Sequence, residues 1–428
     1  MGDLEKLLDF NQPLDVPLLD QVCFINLNVH CAVFGLPLEA CQASWRRNSH
    51  LPCVVQVVMA MYTCKDDNQR KQINAFMTAF QEHPQAWTRV DTILETTKCD
   101  QSKFFALATL EATVKQRWKV LPADQREGIK SYIVNVIVRY SSDDAALQRT
   151  KLYLGKLNLI LVHVLKHEWP QNWKDFIPQI VESGKTNETL CGNNMQILKL
   201  LSEEVFEFSL KQLTSTKIDS LKEGLTGEFQ LIYQLCEFVM QNAKNTLTLQ
   251  TTLQCFLRFL FWIPLYYVFE TQLIDMLLHK FFPHMNFRCD ALQCLTEIAA
   301  IETKNADPKY HGRIQKMYHD FVTNLTNIVH PEAIKQFYEE VDGGEEFVQR
   351  LTLFLTTIFK THLPILETQE LAPGLLHGMQ YLVHISRIDD DEIFKICTEY
   401  WHDMADDLYH KEHVMNQSRP ASGSPFAA

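Results

Sequence analysis

An apolar stripe of helical period that returns at a fixed interval restricts a fold tightly, and this chain carries one from about residue 68 to residue 410. In Lys103–Trp118, Leu107, Leu110, Val114 and Trp118 recur at steps of three, four and four, with Phe104 before them, while Lys103, Glu111 and Lys115 fall away from that line. Cys191–Phe208 repeats the pattern through Leu198, Leu201, Val205 and Phe208, beside Glu203, Glu204 and Glu207. Few stretches alternate with period two, so strands are not expected. Prolines follow aromatic-rich helix ends at Pro122, Pro170, Pro264 and Pro364, with gaps of 48, 94 and 100 residues, or one, two and two periods. Proline suits the first turn of a new helix, where its missing N–H would be unpaired in any case. The alternative is chance spacing of four prolines among sixteen. A helix-pair period of this size predicts an all-α fold, a HEAT-repeat superhelical solenoid of the armadillo-like kind. No pair can bury its apolar face alone, so neighbours must stack.

Composition agrees. With 14 glycines and 16 prolines in 428 residues, the chain is poor in turn formers, and 46% apolar residues suffice for a continuous core. A net charge of -12 repels phosphate backbones, so no direct nucleic-acid partner is expected; basic protein partners, or solubility alone, fit better. The twelve cysteines form no CxxC, and the charged Met1–Phe10 does not read as a secretory signal, which predicts reduced, buried thiols in the cytosol or nucleus. Leu253–Phe269, the longest apolar run, contains Arg258 and Pro264 and is shorter than the roughly 20 residues of a membrane span, so it predicts two buried helices meeting at a turn and no membrane insertion.

Scans for chemistry yield little. His163 and His167 share a helix face, but a third metal ligand and the HExxH order are missing. Cys289 and Cys294 are five apart, a poor match to zinc spacing on one helix. Gly155-Lys156 lacks the rest of a phosphate-binding loop, and neither GxSxG nor GxGxxG occurs. Asp389–Asp391, just before EIFKIC, predict a helix N-terminus with acidic caps rather than an acid/base pair. Ser183–Thr189 offers N-cap residues, and Glu302–Gly312 and Val341–Gly344 break the helical pattern. The expectation is therefore a protein that binds other proteins, with no catalytic site, cofactor or metal.

Specific wording appears from His83 onward: HPQAWTRVDTILE (83–95) and FFALATLEATVKQRWKVLP (104–122). Further blocks follow in order: YLGKLNLILVHVLKHEWPQNWKDFI (153–177), NNMQILKLLSEEVFEFS (193–209), FLRFLFWIPLYYVFET (256–271), CLTEIA (294–299) and EIFKICTEYW (392–401), preceded by LLDFNQPLDVPLLDQV (7–22). These blocks resemble the N-terminal part of the importin-β superfamily, and within it the receptors for leucine-rich nuclear export signals.

The resemblance implies a HEAT superhelix that shuttles between nucleus and cytoplasm and loads export cargo together with a Ran-type small GTPase in its GTP form. It also implies passage through the nuclear pore by touching phenylalanine-glycine nucleoporins. Hydrolysis belongs to the GTPase, so the chain is no enzyme. The inner helices implied to meet the GTPase are Asn68–Glu82, Ser102–Lys119, Thr150–His167 and Cys191–Phe208; Gln69, Arg70, Lys115, Lys156, Asn193 and Asn194 are candidate contacts by helix position alone. On this basis residues 1–22 begin the first repeat, 57–122 form an importin-β N-terminal-like, GTPase-binding domain, 123–410 a repeat array, and 411–428 a polar, disordered tail. Two features depart from the family. Cys23–Gln56 matches nothing in it, and joining Val22 to Val57 restores the expected first repeat, so 23–56 reads as an unstructured insertion or an unspliced intron. The family also continues well past residue 428, so the export-signal groove, and with it cargo binding, is expected only in a full-length receptor. Other readings are a generic HEAT scaffold for protein assembly and a truncated fragment without independent function.

Overall fold

The computed structural model describes residues 8–17, 75, 77–97, 100–208, 214–303 and 308–418. Those residues form helices and turns, and no strand occurs among them. The chain divides into two compact units, Met1–Phe176 and Ile177–Ala428. The segment 23–56, Gln69 and Arg70 lie outside the described residues.

In the first unit a short turn of 3-10 helix, Ala86–Arg89, leads into α1 (Val90–Thr96), α2 (Asp100–Arg117), α3 (Ala123–Ser141) and α4 (Asp144–Glu168). α2 packs against α1 and α4, and α3 backs α4. The stripe Leu107, Leu110, Val114 and Trp118 is buried throughout. Beyond the end of α2, the Trp118 indole donates to Glu168 Oε1 at 2.6 Å, and Arg126 Nη1 lies 3.2 Å from the same oxygen. One carboxylate on α4 thus ties together the exit of α2 and the start of α3. Asp143 caps α4 by accepting from the Ala146 N–H at 3.0 Å.

The second unit holds α5 (Phe176–Thr186, beginning at the junction), α6 (Glu188–Glu203, continued by a π turn at Glu204–Phe208), α7 (Ser215–Asn242) and α8 (Thr246–Phe259). Then come α9 (Leu265–Phe269), α10 (Leu273–Met276, continued by a π turn at Leu277–Phe281), α11 (Met285–Ala299), α12 (Pro308–Ile328) and α13 (Ile334–Glu340). α14 (Gly344–Leu366), α15 (Ala372–Ile385) and α16 (Asp391–Ser418) complete it. α6, α8, α11, α14 and α16 form a row, each packed on the next. Behind that row α7 backs α8, the π turn after α10 backs α11, and α12 and α15 back α14. This is the two-layer, nearest-neighbour packing of a HEAT array. An aromatic cluster joins the layers: Phe229 on α7 meets the rings of Phe259, Trp262 and Tyr267 edge-on at 5.5, 5.0 and 4.9 Å.

Most boundaries follow the sequence. Leu253–Phe269 is the end of α8, a turn and α9, and no described helix is long and apolar enough to cross a membrane. Asn187 caps α6 through Leu190 N–H at 2.8 Å, and Asp390 caps α16 through Ile393 N–H at 2.8 Å. Of the described free cysteines, Cys191, Cys236, Cys255, Cys294 and Cys397 are buried and Cys289 is half-buried, and burial pushes the Cys191 thiol up to about 12.

Three details differ. Pro122 and Pro264 directly precede helices, but Pro364 lies inside α14, two residues from its end. Proline there forgoes its own helical N–H bond, and the helix still closes through Glu367 N–H on Leu363 O. The break at Glu302–Gly312 is shorter than expected, because α12 starts on Pro308, which suits a first helical position. Residues 411–418, expected to open a polar, disordered tail, continue α16 as helix.

One close approach is decisive for packing. A Cβ on Gly378 of α15 would lie 2.2 Å from Tyr318 Oη and 3.1 Å from Phe359 Cζ, whereas one on Gly128 of α3 meets nothing within 4 Å. Gly378→Ala should therefore cost about 1–3 kcal/mol by overpacking. Gly128→Ala should be neutral or stabilise by up to about 1 kcal/mol through helix propensity. Urea unfolding followed by circular dichroism checks both; equal effects would mean that the α12–α15 contact does not depend on a glycine.

Candidate protein-binding face

α2 and α4 run side by side, and their shared outer edge gathers the charged residues that the apolar stripes exclude. At its centre is Glu111. Lys115, one turn on along α2, places Nζ 2.8 Å from Glu111 Oε1, and Lys156 of α4 pairs with Oε2. From beneath, the buried His163 brings Nε2 to 3.5 Å from Oε1. His163 first, then Lys115 and Lys156, outweigh burial and hold the Glu111 carboxyl far below the usual carboxylate range. The carboxylate side chain is 14% exposed, whereas that of Lys115 is 44% exposed. The anion is thus sunk and the cations stand outward.

An exposed i,i+4 ion pair contributes only about 0.3–0.5 kcal/mol to stability. The arrangement matters more for what it presents: two ammonium groups on one carboxylate leave an excess of positive charge on a chain whose net charge is -12. Exposed apolar side chains stand on the same elements, Leu152 one turn before Lys156 on α4 at 74% and Val120 just past α2 at 82%. Lys103, over the Tyr153 ring at 4.9 Å, adds a further cation along the same helices. Fixed lysines beside exposed aliphatic groups suit the acidic and apolar side chains of a protein surface; nothing in the cluster has the geometry of a nucleophile with its base.

The structure thus brings Lys115 and Lys156 together on one anion. It places Asn193 and Asn194 elsewhere: both are buried, and the Asn194 amide donates to Ile180 O and Ser183 Oγ, each at 2.9 Å. Asn194 joins α5 to α6 through these two bonds. Glu111 and His163 were not among the expected contacts. The Glu111–Lys115 spacing is visible in sequence, but Lys156 and His163 reach the site only through the packing of α4 on α2. Elsewhere Asp275, His279 and Asp320 bring possible ligand atoms within 4.8 Å of one another, although Lys316 at 2.8 Å and Arg313 at 3.5 Å already neutralise Asp275.

Comparison with known proteins places this face in context. Residues 73–139 match the family described as importin-beta N-terminal domain, 150–295 the exportin 1-like protein family, and 373–409 the chromosome region maintenance or exportin repeat. Exportin-1 of Drosophila melanogaster is 42% identical over 409 residues, which cover 95% of this chain and 35% of that protein. Exportin-1 of Dictyostelium discoideum is 42% identical over 95% of the chain and 36% of its own length, and Protein EXPORTIN 1A of Arabidopsis thaliana is 39% identical over 97% and 35%. The chain spans about a third of the length of these curated relatives.

The depressed carboxyl of Glu111 has a pH consequence. Its contribution to stability is complete above the ordinary value of 4.5 and is lost as pH falls toward the lower folded value, because the unfolded chain then binds the proton first. His167, pushed down by burial, adds a loss of the same sign that begins as pH falls through its ordinary 6.5. Glu111→Gln should therefore flatten the acid side of the stability–pH curve below about pH 5 and leave the His167 portion in place. Unfolding midpoints between pH 3 and pH 8 measure this; parallel curves for parent and variant would remove Glu111 from that role.

Proposed function

Since the chain belongs to the exportin-1 family of the importin-β superfamily, we propose that it is the portion of a nuclear export receptor that engages a Ran-type GTPase in its GTP form. The observation that carries this reading is a coincidence of place. The importin-beta N-terminal match covers α1 to α3, and the lysine pair stands on α2 and the adjoining α4. The ammonium groups of Lys115 and Lys156 would meet acidic side chains of the GTPase, while Leu152 and Val120 would bury apolar area around them. Glu111 would hold both lysines in place before the partner arrives, which reduces the ordering cost of binding. The chain supplies no hydrolytic group in this scheme; GTP is cleaved on the GTPase.

Recognition of leucine-rich export signals is assigned to the two thirds of the relatives that this chain does not span. Contact with phenylalanine-glycine nucleoporins is assigned to exposed apolar residues of the backing layer, such as Leu376 and Val383, which stand two turns apart on α15. Movement between nucleus and cytoplasm follows from these partners.

Direct binding of the purified chain to Ran, loaded with GTP or with GDP at one fixed salt concentration, tests the reading. A preference for the GTP form is expected. Reversing both charges in Lys115→Glu/Lys156→Glu should weaken that binding by about tenfold or more, mostly through loss of complementarity. Equal binding of the two nucleotide states by a folded, helical sample would favour a general HEAT scaffold instead.

A further inference from the structure

In the second unit an open cleft of about 520 Å³ lies between α7 and the α9–α10 segment. Its α7 wall is a single helical stripe, Gln230, Gln234, Glu237 and Gln241, at steps of four, three and four. A stripe at that spacing ordinarily packs on a neighbour and is apolar; this one offers amide groups and one carboxylate to open space. Glu237 is half-buried, is the one charged residue lining the cleft, and makes no ion pair among the described residues. The opposite wall carries Tyr266 and Tyr267.

Tyr233 supplies an independent observation. It lines the cleft with only 5% of its surface exposed, and among the described residues its hydroxyl has no hydrogen-bond partner of good geometry. Thr271 beside it donates its own proton to Tyr267 O at 2.7 Å and accepts from Leu273 N–H at 3.3 Å. Burial pushes the Tyr233 phenol up to about 12, so it stays a neutral hydroxyl able to accept as well as donate. A buried polar group left unpaired is destabilising, and a ligand reaching it would recover that loss.

The lining selects its occupant by chemistry. An anion would meet Glu237 unpaired. An apolar side chain would leave the glutamines, Glu237 and Tyr233 without partners. A flat cation with many donors fits each wall, because its charge meets Glu237, its face meets the tyrosine rings and its remaining N–H groups meet amide and hydroxyl oxygens. We propose that this cleft binds an arginine side chain of a partner polypeptide, with the guanidinium paired to Glu237, stacked on the tyrosines and bonded to Tyr233 Oη. Lysine satisfies the charge alone, since its ammonium presents a point charge without a planar fork. The site is separate from the lysine pair of the first unit and has the opposite sign, so it stands whether or not that face binds a GTPase.

The test uses the full chain and three capped tripeptides, acetyl-Gly-X-Gly-amide, in which X is arginine, lysine or citrulline, the neutral isostere of arginine. Ligand-observed saturation-transfer NMR suits the weak affinities of such probes. The arginine peptide should bind at least about fivefold more tightly than the citrulline peptide, as expected for loss of a charge-assisted bond, and more tightly than the lysine peptide. Glu237→Gln, which keeps size and helix propensity, should abolish that preference, and Tyr233→Phe should weaken arginine binding about two- to threefold. Glu339→Gln on α13 removes the same charge at a distant exposed site and should change nothing. Equal binding of the three peptides, no binding of any, undiminished binding by Glu237→Gln, or an equal loss in Glu339→Gln would each overturn the proposal.

Discussion

Everything in this chain follows from the fact that no helix of a row can bury its apolar stripe except against the next one. Leu198 on α6, Leu253 on α8, Leu295 on α11 and Phe354 on α14 are all fully buried, and α8, α11 and α14 each have row partners on both sides. The apolar seam is continuous, non-directional and able to slide. What fixes its register is polar. Arg258 pairs with Glu203 at 2.9 Å across α6 and α8; Gln254 bonds Asp290 at 3.3 Å across α8 and α11; Lys360 reaches Asp403 at 2.8 Å across α14 and α16. Each pair counts little as energy, but a shift of one turn along the seam breaks several at once while leaving the apolar burial almost unchanged.

The same constraint sorts the carboxylates into two kinds. Glu111 sits where three cation-capable side chains converge, and its environment favours the charged form so strongly that the carboxyl falls far below its ordinary value. Asp290 and Glu297 on α11 are shifted up because burial outweighs their partners, Gln254 for the first and Arg258 for the second. The first is an anion built to remain charged and to hold lysines at the surface. The other two are tolerated in the seam at some cost in charge, which the Gln254 amide limits for Asp290 and the Arg258 guanidinium for Glu297.

Period and capping make the architecture legible in the sequence itself. Stripes such as 107, 110, 114 and 118 located the buried faces, and Asn187 and Asp390 marked helix starts, because both signals are local and α-helical bonding is local. Pro364 misled because proline is informative only with its position in the helix known, and position is what tertiary packing decides. Among the candidate contacts, Asn194 carried a warning in plain sequence: Leu190, Asn194, Leu198 and Leu201 follow at steps of four, four and three, so the asparagine belongs to the buried stripe. Lys156 and His163 could not be tied to Glu111 from sequence, since the link crosses between α2 and α4 and depends on how one helix is rotated against the other.

Surfaces meant for partners obey the packing rule in reverse. On α2 and α4 the cations stand outward because their counter-anion is sunk into the helix junction, so the positive excess is a consequence of which partner is buried. On α7 the stripe facing α9–α10 has the spacing of a packing face but not its chemistry, and the gap it leaves ends on a buried tyrosine hydroxyl that meets no partner of good geometry among the described residues. A repeat protein has few loops in which to place recognition groups. Its available device is to break the apolar rule at chosen positions of an otherwise regular helix, and the sign of the break, basic in the first unit and acidic in the second, sets which side chains each place can receive.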